Sequence, residues 1–250
     1  MSKKVLLAGE SWVSSSTHFK GFDFFSSTFY ATGSGFLIPA LERRDVQVTH
    51  FPSHEAATRF PFELADLQRF DVVILSDIGA NTLLLPPQTF LEGKRMPNRL
   101  NLIREYVRQG GALLMAGGYL SFQGIYGAAR YRRTAIEEVL PVSIQPFDDR
   151  VERPEGVVPT VTSQDHFITR GLGESWPFLL GFNEVTPKPE AEVLVKVDEH
   201  PLLVVGRYDR GRAVAWTSDI GPHWCPKEFV EWPHYEELWA RLITWATTKE

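Results

Sequence analysis

Gly110–Ser121 reads GGALLMAGGYLS, and this stretch decides the fold. Five apolar residues, Ala112 to Ala116, stand between two Gly-Gly pairs. A short apolar run without polar alternation predicts a strand buried on both faces, as in a parallel sheet covered by helices on either side. The second pair, Gly117-Gly118, predicts a tight turn where strand and following segment approach so closely that only small residues fit. A buried strand ending in such a turn has the form of a nucleophile elbow, whose tip in hydrolases is Ser or Cys. Here the tip is Gly118 or Tyr119, neither of which cleaves amides, and Ser121 lies further on, toward a helix.

The same kind of run recurs upstream. Val5–Ala8, Val46–Phe51 and Val72–Leu75 are each apolar and each stop at small or polar residues: Gly9-Glu10-Ser11, Pro52-Ser53-His54 and Ser76-Asp77. Helical periodicity fills the gaps. Phe36–Arg44 places Phe36, Leu37, Ala40 and Leu41 on one face, and Asn98–Gln109 does so with Leu102, Ile103, Tyr106 and Val107 before stopping at Gly110-Gly111. Alternating strands and helices predict βαβ units in an α/β, doubly wound, mostly parallel sheet of flavodoxin-like type. Beyond Leu140, the Pro-, Asp- and Arg-rich stretch Pro141–Pro159 predicts an irregular surface excursion. Val157–Val161, Val193–Val197 and Leu202–Tyr208 predict strands, and Asp209-Arg210-Gly211 turns the last into Arg212–Thr217. That antiparallel C-terminal hairpin extends the sheet, and Tyr235–Thr247 closes the chain as an amphipathic helix. With no internal repeat or low-complexity linker, residues 1–250 read as one domain.

Composition bounds the function. Hydrophobic residues make up 43 % and charged residues 23 %, enough for a full core without disulfides or metals. A formal charge of −5 excludes nucleic acid or an anionic membrane as the main partner, since both require a basic face. The single Cys, Cys225, allows no intramolecular disulfide and suits a reducing compartment. The N-terminal apolar run is too short for a signal-peptide core, and no segment approaches a membrane span. The expectation is a soluble cytoplasmic protein.

Ligands of open α/β sheets bind beyond the carboxyl ends of the strands. The residues expected there are Glu10, Ser11 and Trp12 after the first strand, and Asp77 and Asn81 after the third. Gly117, Gly118 and Tyr119 follow the fourth, and Asp219 and His223 the last. This carboxylate-rich rim with one His fits a polar substrate, although Asp and Asn there are also helix caps. Arg130, Arg132 and Arg133 around Tyr131 offer bidentate and stacking contacts to an anionic or sugar-like ligand, or else ion pairs with Glu137 and Glu138. His18 with Asp23 and His50 with His54 are metal-like spacings, but Pro52 breaks any helix through the second pair, so no metal and no cofactor are expected. Gly33-Ser34-Gly35 before a helix lacks a phosphate-loop pattern and reads as a plain cap. Lys20-Gly21-Phe22-Asp23 reads as a loop over the pocket mouth, with Phe22, Phe24, Phe25 and Phe29 as a hydrophobic plug or subunit contact.

The run GGYLSFQGIYGAARYRRTAIEEVLPV, Gly117–Val142, resembles the signature of the glutamine amidotransferase-like family, relatives of the ThuA-like proteins. GESW at Gly9–Trp12, HFKGFD at His18–Asp23, LSDIGANTLLL at Leu75–Leu85 and SDIGPHW at Ser218–Trp224 extend the resemblance over nearly the whole chain. It implies the class I glutamine amidotransferase-like fold. Working members of that class use an elbow Cys with a late His and Glu. His223 stands where the resemblance puts the His, but Cys225 occupies the place of the Glu, and the elbow Cys is missing. Cys225 itself falls in a loop, where nothing depresses a thiol pKa. The reading is therefore an amidotransferase-like domain, not a working glutaminase, that binds a small polar or sugar-like metabolite. Asp77, Asp219 and His223 would supply acid–base groups, and Glu10, Trp12, Asn81, Gly117, Gly118, Tyr119, Arg130 and Tyr131 would hold the ligand. The alternative is a non-catalytic domain that kept the fold for homo-oligomer assembly, with Trp224, Trp232, Trp239 and Trp245 as its apolar contact.

Overall fold

The computed structural model describes residues 2–173 and 175–248. In chain order the first half comprises β1 (Lys3–Gly9), β2 (Ser11–Lys20), β3 (Asp23–Thr32), α1 (Leu37–Glu42), β4 (Val46–Phe51), α2 (Ser53–Arg59), α3 (Leu64–Leu67), β5 (Val72–Ser76), α4 (Ala80–Leu84), α5 (Pro87–Phe90), α6 (Arg99–Arg108) and β6 (Ala112–Ala116). The second half comprises α7 (Ala135–Val139), β7 (Val142–Ile144), β8 (Arg150–Val157), β9 (Pro159–Val161), β10 (Leu179–Asn183), β11 (Val185–Pro187), β12 (Glu192–Val197), β13 (His200–Tyr208), β14 (Gly211–Trp216), α8 (Lys227–Val230) and α9 (Tyr235–Thr247).

Eight strands form the central sheet in the order β4-β1-β5-β6-β14-β13-β12-β9. The first five are parallel, and β13, β12 and β9 follow as antiparallel neighbours. Alternate residues of the buried strands feed two cores. Val5, Leu7, Val72, Ile74, Leu114 and Trp216 pack beneath α1 and α9. Leu6, Ala8, Val73, Leu75, Leu113 and Met115 pack beneath α2, α4, α6 and α7. Burial on both faces is why these strands read as unbroken apolar runs. The chain reverses direction across the sheet between β1 and β5, the switch point of a doubly wound fold, where a crevice opens past the strand ends.

Four expectations change. Pro141–Pro159 is not irregular: it contains β7, paired with β11, and β8, paired with β10. These are two-stranded ribbons with many polar side chains, so no apolar run announces them. Val157–Val161 is two strands, broken at Val158, which pair with different partners. The stretch around Lys20-Gly21-Phe22-Asp23 is no loop over a pocket; it is the tip of a long hairpin made by β2 and β3. The C-terminal Trp cluster belongs to the interior: Trp224 and Trp239 are fully buried, and Trp232 and Trp245 pack against the core from its edge.

Arg99 ties the layer over the sheet together. It is fully buried and donates to the carbonyls of Ala56, Ala57 and Phe60 at the end of α2 and of Thr82 and Leu83 in α4, while its guanidinium lies 4.7 Å from the Phe62 ring. Burial lowers its pKa to about 10, which still leaves it charged at neutral pH. Arg99→Met should therefore strand several buried carbonyls and cost about 3 kcal/mol or more. The check is urea denaturation, in which the midpoint falls with little change of slope.

Candidate functional site

Three neighbouring strand ends turn sharply, and two of them turn on carboxylates. Glu10, after β1, has φ +52°, and Asp77, after β5, has φ +43°. Gly118, after β6, has φ +136° and so is the tip of the elbow. Positive φ costs an ordinary side chain on the order of 1 kcal/mol, and such conformations gather where function fixes the backbone. Gly117 admits no side chain, since a Cβ there would stand 2.3 Å from the Thr217 carbonyl.

The elbow is held by an amide from a ribbon. Asn183, at the end of β10 and fully buried, accepts from the Gly118 N–H at 3.0 Å and donates to its carbonyl at 3.2 Å. It also donates to Asp149 at 2.9 Å, which accepts the N–H groups of Gln123 and Gly124 at 2.8 Å. Burial raises the Asp149 pKa to about 6 against these hydrogen bonds. The Gly117 N–H bonds the carbonyls of Trp216 and Ser218. The N–H groups of Gly117 and Gly118, residues expected to hold the ligand, are thus used to shape the turn.

Past this turn lies a pocket of about 300 Å³ lined by Glu10, Trp12, Asp77, Tyr119, Asp219, Gly221, Pro222 and His223. A Cβ on Gly118 would come within 3.0 Å of Oδ1 of both Asp77 and Asp219, so the two carboxylates meet over the elbow. Asp77 Oδ1 accepts the Leu120 N–H at 2.7 Å, and Asp219 Oδ2 accepts the Trp224 N–H at 2.9 Å. His223 Nδ1 stands 3.3 Å from Asp219 Oδ2, and its ring meets Tyr119 edge-on at 5.0 Å. Tyr119 donates its hydroxyl to Glu152 at 3.0 Å, and the Arg150 guanidinium lies 4.9 Å over its ring. Glu152 also accepts the Trp224 indole N–H at 2.9 Å.

Crowding sets the protonation. Burial, then the nearby Asp77 and Asp219, raises the Glu10 pKa to about 8 despite a hydrogen bond from the Ser76 hydroxyl. Burial raises Asp77 to about 6, opposed by the Leu120 N–H and by His223. The hydrogen bond to Asp219 raises His223, against partial burial. At neutral pH the pocket therefore holds a protonated carboxyl beside an ionised one and an imidazole biased toward its charged form. Cys225 is buried below the rim, and burial with the fields of Asp219 and Glu10 raises its pKa well above that of a free thiol.

Of the residues expected in the site, Glu10, Trp12, Asp77, Tyr119, Asp219 and His223 come together, with Gly117 and Gly118 forming the floor. Asn81 lies exposed in the first turn of α4, outside the lining. Arg130 is exposed, and Tyr131 is a core residue whose hydroxyl donates to the Ile78 carbonyl at 2.6 Å. Arg132 and Arg133 line a different groove with Glu137, Glu138 and Lys188. The paired histidines also diverge: His18 stacks on Phe25, His50 bonds the Gly9 carbonyl at 2.9 Å, and His54 packs against Tyr30. Arg150, Glu152 and Asn183 went unrecognised because they sit on short ribbons whose only signal is a brief polar–apolar alternation. A larger groove, between Gln109-Gly110 and Arg207–Arg212, lies at the opposite end of the sheet and gathers no comparable set of carboxylates.

Glu10 makes stability fall with rising pH. Its folded pKa lies above the ordinary 4.5, so between that value and about 8 the folded state binds the extra proton, and its advantage is lost as pH climbs through the window. His223, also raised, acts in the same direction. Denaturation at pH 5.5 and 8.5 should show the wild type losing roughly 3 kcal/mol from Glu10, whereas Glu10→Gln should lose much less. Equal losses would show that Glu10 is not the group responsible.

The comparisons with known proteins follow this geometry. The family described as "Putative glutamine amidotransferase" matches residues 4–248. A cytoplasmic protein of Salmonella typhimurium is similar in structure, with TM-score 0.94, 41 % identity and coverage of 97 % of this chain and 98 % of that one. A second, from Salmonella typhimurium LT2, has TM-score 0.94, 41 % identity and coverage of 99 % and 100 %. A ThuA-like protein of Parabacteroides merdae shares the fold at TM-score 0.58 and 13 % identity, over 98 % of this chain and 90 % of that one. No protein of curated function matches significantly. Among the described residues no helix is long and apolar enough to cross a membrane.

Proposed function

The chain belongs to the glutamine amidotransferase-like family, and within that fold we propose that it binds a small, neutral, sugar-like metabolite in the strand-end pocket and does not hydrolyse glutamine. The observation that carries this reading is the convergence of Glu10, Asp77 and Asp219 with His223 in a pocket that Tyr119 and Trp12 also line. Carboxyl groups in mixed protonation states offer both donors and acceptors to vicinal hydroxyls. Flat aromatic rings cover the apolar face of a sugar ring. The Asp77 and Asp219 carboxylates, which meet over the elbow, disfavour phosphate and carboxylate ligands. A pocket of about 300 Å³ matches a single small metabolite.

Glutamine hydrolysis finds no support in the elbow. A nucleophile carried on Gly118 would stand between Asp77 and Asp219, whose negative field raises a thiol pKa and suppresses the thiolate. Cys225 is buried and held neutral. The groups for any turnover are the Asp219–His223 pair and Asp77, which suit acid–base rather than covalent chemistry. A fold kept only for assembly would give this carboxylate cluster no role. The cytoplasmic Salmonella relatives and the lone Cys favour a cytoplasmic setting.

A panel of neutral sugars, polyols and amino sugars should contain a compound that raises the melting temperature by about 5–10 °C at a hundredfold excess over its Kd. Asp219→Asn and Tyr119→Ala should abolish that rise, and the protein should release no ammonia from glutamine. Ammonia release that Cys225→Ser removes would overturn the reading, as would stabilisation by anionic ligands alone.

A further inference from the structure

The hairpin of β2 and β3 is an arm. Ten residues on each side give it a length of about 30 Å, and every residue from Ser15 to Tyr30 is exposed. It meets its own chain at the root, where the Ser11 hydroxyl accepts the Ser53 N–H at 2.7 Å and Tyr30 packs on His54. Gly21, with φ +68°, opens the two-residue turn at the tip, as hairpin turns that follow strand twist require. A two-stranded hairpin is marginal when left alone in water. Strands that must remain edges carry charges, Pro or bulges. This arm has no Pro and no register shift, and its only Lys, Arg, Asp or Glu side chains are Lys20 and Asp23, which face each other beside the turn.

One face of the arm repeats itself in reverse. Its rows, from root to tip, are Val13 with Tyr30, Ser15 with Thr28, Thr17 with Ser26, and Phe19 with Phe24. The order is apolar, hydroxyl, hydroxyl, apolar. The apolar ends are open to solvent, Phe19 at 77 % and Phe24 at 69 %. Such a pattern is complementary to its own antiparallel copy, which is what a two-fold interface demands. Stacked that way, Phe24 of each chain lies on Tyr30 of the other, Phe19 lies on Val13, and the small hydroxyl rows let the backbones approach between them. On that face Val13, Phe19, Phe24 and Tyr30 expose on the order of 500 Å², to which the hydroxyl rows between them add, toward the roughly 800 Å² each partner gives to a stable interface. The arm's lack of net charge and the chain's acidity give nucleic acid and anionic membranes nothing to hold.

We propose that the β2–β3 arm is the homodimerisation element of this protein, lying antiparallel on the arm of a second copy with Phe24 of one chain against Tyr30 of the other. Light scattering on the full chain should give twice the chain mass for the wild type. Phe24→Asp, at an exposed position whose ring neighbour in its own chain is the facing Phe19 at 6.1 Å, should halve the mass while leaving the far-UV circular dichroism unchanged. Adding Tyr30→Lys to Phe24→Asp should restore the dimer through an ion pair between copies. Positions 24 and 30 lie about 20 Å apart along one strand, too far to pair within a chain. A monomeric wild type overturns the proposal, including one that binds neutral or anionic phospholipid vesicles instead. So does a mass unchanged by Phe24→Asp, or a double variant that stays monomeric.

Discussion

Three carboxyl groups cannot share a half-closed crevice as three charges, and much of the site's local structure answers that constraint. Glu10, Asp77 and Asp219 come from different strand ends, yet two of them reach the same point above Gly118. Like charges in a low dielectric repel strongly, and removing each from water is costly in itself. The chain resolves the conflict differently for each group. Glu10 is buried deepest and keeps its proton. Asp77 is supported by the Leu120 N–H and Asp219 by that of Trp224, both from segments that follow the strands. His223 stands beside Asp219, and the hydrogen bond to that carboxylate raises the imidazole's pKa. The pocket is polar because it must solve this problem, and the solution leaves donors and acceptors facing one cavity.

The elbow shows what became of the family's nucleophile position. In a hydrolase this turn strains a reactive side chain into the open. Here the position is glycine, and its peptide is clasped by the Asn183 amide on both sides, so the turn remains without the group it ordinarily displays. The two carboxylates occupy the space a thiolate would need.

How far the sequence could be read depended on how each segment is buried. Val5–Ala8, Val72–Leu75 and Ala112–Ala116 are covered on both faces, so their continuous apolar runs identified the sheet, and its strand ends located Glu10, Asp77, Tyr119 and Asp219. Arg150, Glu152 and Asn183 escaped because β8 and β10 form a ribbon with one wet face, where Pro154 and Gly156 look like loop punctuation. Arg130 and Tyr131 misled for the opposite reason. An Arg-rich run near an elbow suits a ligand, but Tyr131 is required by the core and turns Arg130 outward. The β2–β3 arm was legible only as a group of Phe side chains suited to a plug or subunit contact and not as a hairpin, because Ser and Thr rows on both faces erase the alternation that marks a half-buried strand.

The arm and the pocket are built on the same few residues. β2 begins directly after Glu10, and the chain returning from β3 passes over it: the Gly33 N–H bonds the Glu10 carbonyl at 3.0 Å, and a Cβ on Gly33 would stand 2.3 Å from the Glu10 carboxyl. The return leg of the arm is therefore part of the wall that buries Glu10 and lifts its pKa, while Trp12 on the outgoing leg lines the cavity. In an open α/β sheet the loop after the first strand is where a fold accepts new function at the switch point. This chain places its β2–β3 arm there. A partner that grips the arm holds both legs of its root, and so fixes the Trp12 ring and the cover over Glu10 without touching the ligand. The root of the arm and the wall of the pocket thus share Gly9–Trp12 and Gly33.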